Sequence, residues 1–450
     1  MRREGNWPAF IHTAYEGLAE AGVLSANAWR RHPFRTVLRL VPLRIKETIN
    51  QLAGRPLFDL SFYLQFQPSS IENTGVKVTR LPQHLPELGE RRRVAFITPH
   101  LGPGGAEHVL LDMARSLDRK HNEIFLIATH SKDSRYAQIW RQHADHIYDL
   151  AVLVEPETLP SALYSLILNW KMDTLVVQNT LIAYSVIPHC KKELPTLKIV
   201  DLIHTVGTEW DIAAATATVA GHIDTRIVIS NAARQNLIAL GADEQRIRLI
   251  QNGVDLERFH PVPVRNEDVF RILFAARLDR IKRPLLLVDI AREMAAREPH
   301  ASFRFAIAGD GPEQNALRRR IRAAGVDHLF EIHGYVEDLA PLLADSDVLL
   351  VTSSNEGVPL TILEAFATGR PVVASRAGAI EEILDDTTGM LIDRGSGEAG
   401  RFADALLKVM SHPDIRDRMA AQARRRVELS YDRRHSLQLY REALTPTVSF

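Results

Sequence analysis

Two carboxylates eight positions apart, Glu356 and Glu364, bracket the segment Gly357-Val358-Pro359-Leu360. An apolar run, Val348 to Val351, precedes them and an apolar-periodic stretch follows. That order predicts a strand, a loop, and a helix with Pro359 in its first turn. Such a turn offers free backbone N–H groups and the positive end of a dipole, which suits a diphosphate. Carboxylates avoid phosphate but accept well from sugar and ribose hydroxyls. The plain alternative is a loop acid followed by an ordinary surface glutamate. Arg277 and Lys282 lie just after another apolar run, where a guanidinium fork and an ammonium can neutralise a departing diphosphate. Such a pair does the work a divalent metal does elsewhere; read blandly, it is a solvated charge cluster. A glycine-rich turn, Pro99 to Glu107, follows a third run and allows close backbone approach to a ligand. It does not match the dinucleotide fingerprint Gly-x-Gly-x-x-Gly.

These residues need elements to carry them. From Arg93 onward short β-rich runs alternate with longer amphipathic segments, the pattern of parallel sheets with crossover helices. One array has strand candidates at 94–97, 124–127, 175–177, 199–203, 226–229 and 247–250. A second has them at 271–274, 303–307, 330–332, 348–351 and 372–374. Pro261, Pro263 and the charged stretch 265–268 make a linker between the arrays. The fold class is therefore α/β, with two Rossmann-like doubly wound domains facing across a cleft and a mostly helical N-terminal extension. The expected divisions are an accessory region at 1–90, a first α/β domain at 91–258, a second at 266–430 that carries most of the ligand-suited residues, and a C-terminal helix at 431–450 returning to the first domain.

The whole chain agrees with this picture. At 450 residues it accommodates two or three domains, and 46% apolar with 24% charged residues is a globular balance. Lys plus Arg equals Asp plus Glu at 55 each, which argues against a general nucleic-acid binder. Cys190 is the one cysteine, lacks a nucleophile signature, and suits a reducing cytoplasm. No apolar run reaches the ~18–20 residues of a membrane span, and no signal-peptide layout is present. Asp345-Ser346-Asp347 imitates a metal motif but reads as a helix-to-strand turn, and no His or Cys cluster has ligand spacing.

Together these features resemble the retaining glycosyltransferases of family 4, whose fold is called GT-B. The resemblance runs from about Arg93 to Tyr440 and rests on Gly104-Gly105-Ala106-Glu107, Asn252-Gly253-Val254-Asp255, Arg277 with Lys282, and Glu356 with Glu364. It implies sugar transfer from a nucleoside diphosphate donor, with UDP-sugars favoured, to a saccharide or lipid-linked acceptor. No cofactor or metal is implied. Arg277 and Lys282 would hold the diphosphate, Glu364 the ribose, and Glu356 the donor sugar, beside the amides of Gly357, Val358, Pro359 and Leu360. Gly104 and Gly105 would let the first domain close on the phosphates. His204 would sit near the reaction centre, although a buried structural histidine is the competing reading, since Thr205 replaces the acid often found next. Gly309 and the Gly334-Tyr335 pair would face the nucleoside. The resemblance further implies same-face substitution, with the departing diphosphate helping to deprotonate the acceptor. Two alternatives stay open: a nucleotide-sugar epimerase of the same fold, and a catalytically silent donor-binding partner subunit.

The first 90 residues are less defined. Arg30, Arg31, Arg35, Arg39, Arg44 and Lys46 interleave with Trp29, Phe34, Val37, Leu38, Leu40, Val41 and Leu43. An interfacial basic helix over 29–46, bringing a cytoplasmic protein to the inner face of the membrane, is one reading. Packing on the catalytic body is the other, because Pro33 and Pro42 interrupt the helix.

Overall fold

The computed structural model describes residues 89–130, 135–204, 216–262 and 269–445. The expectations for 1–88, for the linker residues 263–268 and for the end of the chain beyond 445 lie outside these residues.

β1 (Arg92–Thr98), β2 (Asn122–Ala128), β3 (His146–Asp149), β4 (Thr174–Gln178), β5 (Lys198–Ile203), β6 (Thr225–Val228) and β7 (Ile247–Leu249) form one parallel sheet in the order β3-β2-β1-β4-β5-β6-β7. A second parallel sheet comprises β8 (Phe270–Ala275), β9 (Phe303–Ala308), β10 (Phe330–Gly334), β11 (Val348–Val351), β12 (Val372–Ser375) and β13 (Gly389–Ile392), in the order β10-β9-β8-β11-β12-β13. The chain supplies apolar residues in continuous runs at the central strands because both faces of a parallel sheet are covered by helices. Strand β1 shows it, with Val94, Ala95, Phe96 and Ile97 all fully buried.

The strand order reverses between β1 and β4 in the first sheet and between β8 and β11 in the second. Reversal sends neighbouring crossovers to opposite faces and leaves a crevice at the strand C-termini, where α/β proteins place ligands. The glycine-rich turn after β1, the Arg277–Lys282 loop after β8 and the Glu356 loop after β11 all stand at these crevices.

The longer helices are α1 (Gly105–Arg115), α2 (Leu159–Asn169), α3 (Leu181–Glu193), α4 (Asn231–Ala239), α5 (Leu286–Arg297), α6 (Gln314–Ala324), α7 (Leu360–Ala367), α8 (Glu398–Ser411), α9 (Pro413–Ser430) and α10 (Arg433–Leu444). One apolar cluster runs through both domains, taking in Val109 and Leu110 of α1, Ile362 and Phe366 of α7, Val427 of α9 and Tyr440 of α10. Separate clusters fill the outer face of each sheet.

Where the chain passes from α9 into α10 it pairs with the segment leaving the first sheet. Val254 N donates to the Tyr431 carbonyl at 2.8 Å, and Arg433 N returns to the Val254 carbonyl at 3.0 Å. Gly253 is required here, since a Cβ would stand 2.4 Å from Arg433 Cα. Helix α10 then lies on the first domain. Arg433 pairs with Asp112 of α1 at 2.6 Å, while Lys198 Nζ and Arg92 donate to the last carbonyls of α10, those of Ala443 and Leu444, at 2.7 and 3.0 Å. Cations at that end also meet the negative pole of the helix.

Candidate functional site

Asp279 organises the loop after β8. Its Oδ1 accepts from the amides of Ile281 and Lys282, both at 3.0 Å, and its Oδ2 accepts from Arg277 Nε at 2.7 Å. Arg283 sits in the left-handed region, φ 52°, and ties this loop to the neighbouring strands. Its guanidinium donates to the Thr352 carbonyl at 2.5 Å, to Ser375 Oγ at 3.1 Å and to Glu398 of α8. These anchors deliver Lys282 to the loop after β11, where Nζ meets Glu356 Oε1 at 2.5 Å and Ser353 Oγ donates to the same oxygen at 2.6 Å. Arg277 is brought to Asp279 rather than to Glu356, and its side chain is 63% exposed.

Behind Glu356 the chain turns tightly. Gly378, φ 58°, lies where a Cβ would stand 1.9 Å from the Glu356 carbonyl oxygen, which accepts from Ala379 N at 3.0 Å. Helix α7 begins at Leu360, so Pro359 is its N-cap, in extended conformation, one position earlier than the sequence pattern placed it. A proline there sacrifices no helical bond, and its carbonyl accepts from Ile362 N at 3.2 Å. Glu364 lies in the second turn of α7. Its Oε2 is buried without a hydrogen-bond partner. Desolvation pushes its pKa up to about 7, with Arg258 pulling down and Asp338 pushing up further. Those two form their own ion pair at 2.9 Å.

The first domain meets this loop directly. Gly357 packs on the strand end of β5, where its missing Cβ leaves room for the His204 carbonyl, and Asn252 Nδ2 donates to the Val358 carbonyl at 2.9 Å. His204 is buried, its Nε2 lies 3.1 Å from Gln178 Oε1, and burial pushes its pKa down to about 4. Gly105 faces Leu360 across the junction, a Cβ there being 3.8 Å from the leucine Cδ1. Gly104 makes room for the Glu107 side chain, which folds back over the start of α1. Burial pushes Glu107 up to about 7, and the Arg277 charge opposes it. On the far side of the junction Glu382 accepts from the amides of Asn231 and Ala232, the first residues of α4, at 2.7 and 2.8 Å.

Gly309 and Gly334 are adjacent, Gly309 N donating to the Gly334 carbonyl at 2.6 Å, and both have positive φ. A Cβ on Gly309 would stand 2.0 Å from the Ala276 carbonyl oxygen. Tyr335 is half-exposed beneath the Arg135 guanidinium, 4.5 Å from the ring centroid, and Arg135 also pairs with Asp310 at 2.9 Å. The structure thus gathers Lys282, Glu356, Gly357, Val358 and His204 at one place, with Gly105 and Leu360 beside them. Gly309 and Gly334 meet beside Ala276, on the loop after β8 that carries Arg277 and Lys282, with Tyr335 next along the chain.

Asp345 and Asp347 form the turn into β11 and are taken up by Arg271 and Arg416 at 3.2 and 3.0 Å. No group of three or more His, Cys, Asp or Glu among the described residues could hold a metal ion. Cys190 is buried in the first domain, its thiol pushed up to about 12 by desolvation. Sequence reasoning missed Asp279, Arg283, Ser353, Gln178 and Glu382. The aspartate had a readable signal, since an Asp two residues before a loop amide is an Asx-turn pattern.

A family model described as Glycosyl transferases group 1 matches residues 269–412, and one described as Glycosyltransferase Family 4 matches residues 103–258. The D-inositol 3-phosphate glycosyltransferase of Frankia alni is 33% identical over 247 residues, covering 50% of this chain and 60% of that protein. The same enzyme of an Arthrobacter species is 34% identical over 198 residues, or 40% of this chain and 46% of its own length. The chain thus spans about half the length of the curated relatives it matches. Among solved structures, Anabaena HepE in complex with UDP and glucose superposes with a TM-score of 0.66 at 21% identity, covering 79% of this chain and 99% of that one. At that identity the likeness establishes the fold.

Proposed function

Because the chain belongs to glycosyltransferase family 4 and has its GT-B fold, we propose that it moves a sugar from a nucleoside diphosphate sugar to an acceptor hydroxyl, retaining the anomeric configuration. The observation that carries this reading is the pairing of Lys282 with Glu356 at 2.5 Å, with the buried, unpartnered Glu364 oxygen on the helix behind them. A cation at a strand C-terminus suits phosphate, and two acceptor-only carboxylates suit the hydroxyls of a sugar and a ribose.

In this reading Arg277 and Lys282 stabilise charge growing on the departing diphosphate, and preorganised charge of this kind is the main source of acceleration in many enzymes. Glu356 holds the donor sugar and Glu364 the ribose. Gly309, Gly334 and Tyr335 line the nucleoside side through backbone and ring, and the amides at the start of α7 face the phosphates. UDP-sugars are the donors to test first, since HepE of the same fold was solved with UDP and glucose. The acceptor is a saccharide or lipid-linked saccharide, and the work is done in the cytoplasm, which agrees with the reduced, buried Cys190. No described helix is long and apolar enough to cross a membrane.

The test is to incubate the full chain with a panel of nucleotide sugars and follow donor hydrolysis, then transfer, with the product anomer read by NMR. Release of free nucleotide with a retained-configuration product is expected. A donor whose sugar is isomerised without an acceptor would instead select the epimerase reading.

A further inference from the structure

His204 has two nitrogens, and its buried neighbours constrain which one carries the proton. Three residues at the ends of adjacent parallel strands form a buried chain: Thr98 on β1, Gln178 on β4 and His204 just after β5. Thr98 Oγ1 donates to the His100 carbonyl at 3.5 Å, Gln178 Nε2 donates to Thr98 Oγ1 at 3.4 Å, and Gln178 Oε1 faces His204 Nε2 at 3.1 Å. A hydroxyl has one proton. Once Thr98 spends it on the carbonyl, its oxygen can only accept, which turns the Gln178 amide nitrogen toward Thr98 and its oxygen toward His204. An amide oxygen only accepts, so the histidine nitrogen opposite must be the donor. The opposite polarity would take the Thr98 proton away from the His100 carbonyl.

We infer that Gln178 is a positioning residue that locks His204 as the Nε2–H tautomer, leaving Nδ1 as a hydrogen-bond acceptor at the domain junction. Resting on the transferase reading above, this deepens the role of His204: its Nδ1 accepts a hydrogen bond from a hydroxyl of the bound sugar and cannot donate one to the leaving group. No atom or charge is transferred; the effect is on polarity alone. Few charges disturb the ring. Asp201, earlier on β5, is engaged by Tyr184 at 2.6 Å and Arg226 at 3.3 Å, and the charged pair on the packed loop, Glu356 and Lys282, is satisfied internally. With burial holding its pKa at about 4, the imidazole stays neutral at physiological pH, as a fixed tautomer requires.

Histidine labelled with ¹⁵N in the full chain reports the tautomer without any donor, so this arm stands even if the transferase reading fails. His204 signals are assigned by their loss in His204→Gln. A protonated Nε2 and unprotonated Nδ1 are expected; a protonated Nδ1 overturns the inference. Gln178→Met keeps the bulk and removes the acceptor, so the tautomers should mix and kcat should fall about 10–100-fold with donor KM little changed. Gln178→Glu restores an acceptor but adds a charge that favours imidazolium, which has no Nδ1 lone pair. Its turnover should therefore be low in acid and recover as pH rises and the ring loses its proton, a limb the native enzyme lacks. Unchanged turnover in Gln178→Met with mixed tautomers, or a Gln178→Glu profile parallel to the native one, would also overturn it.

Discussion

The Cα of Gly357 lies so near the carbonyl oxygen of His204 that a methyl group added there would stand 2.3 Å from it. The obstacle is backbone on both sides, so neither residue can rotate away. Gly357→Ala should fold normally but hold the two domains apart, and an approximately 1 Å displacement at a reacting centre costs on the order of 100-fold. Steady-state kinetics beside a melting curve checks this: kcat/KM should collapse while Tm barely moves.

Lys282 and Arg277 are proposed to do electrostatically what a divalent metal does elsewhere. Activity should therefore persist in excess chelator, and Lys282→Ala should lower kcat by roughly 100- to 1,000-fold, the scale seen when one charge-stabilising donor is lost. Turnover abolished by chelator and restored by Mg²⁺ or Mn²⁺ would contradict the assignment. Modest stimulation by metal would not.

Glu364 should couple donor binding to pH. Its carboxyl is pushed up to about 7 by desolvation, so near neutrality the acid and carboxylate forms coexist. Only the carboxylate accepts with both oxygens, so donor affinity should rise with pH through that value. Glu364→Gln should remove the dependence and cost about 1.5–3 kcal/mol of donor binding above it. Stability should move the other way. A raised carboxyl pKa means the folded chain holds its proton more tightly than the unfolded chain, so stability present in acid is lost as pH rises from about 4.5 to about 7. Glu364→Gln should accordingly raise Tm at about pH 8 and leave it unchanged at about pH 4. Calorimetry at the two pH values, with donor titrations, tests both halves.

Glu356→Gln should act differently. Its oxygen already engages Lys282 and Ser353, so the loss falls on a contact proposed to strengthen in the transition state, lowering kcat more than donor affinity. Identical kinetic profiles for the two glutamine variants would contradict this division.

Glu382 caps α4 from the opposite domain. Glu382→Ala should remove about 1 kcal/mol from the contact between the domains, raise donor KM about fivefold, and increase wasteful donor hydrolysis relative to transfer. A helix cap of purely local importance would shift Tm and leave that ratio alone.

The central strands were legible because burial on both faces writes them as unbroken apolar runs. β3 and β13 were not anticipated: each is four residues long at the margin of its sheet, and His146 to Asp149 has no fully buried side chain. Edge strands are not required to be apolar throughout, so their signal is weak. At the site, the residues with chemistry to perform were visible as charges beside glycines at strand ends. Those that hold them were not. Asp279 and Arg283 act through loop amides and carbonyls far apart in sequence, and Gln178 reaches His204 only because β4 and β5 are neighbours in the sheet. Spacing along a chain cannot report such pairings until the strand order is known.

Helix α10 has a further consequence, for the order in which the protein can be built. Tyr440, Ala443 and Leu444 belong to the apolar cluster shared with β1 and α1, so the first domain lacks part of its core until residues more than 300 positions later have left the ribosome. A domain made early and completed late cannot finish folding before its neighbour has been synthesised, against the usual domain-by-domain sequence. Produced alone, residues 89–262 should fold poorly and expose apolar surface; a peptide spanning 431–445, added in trans, should rescue them.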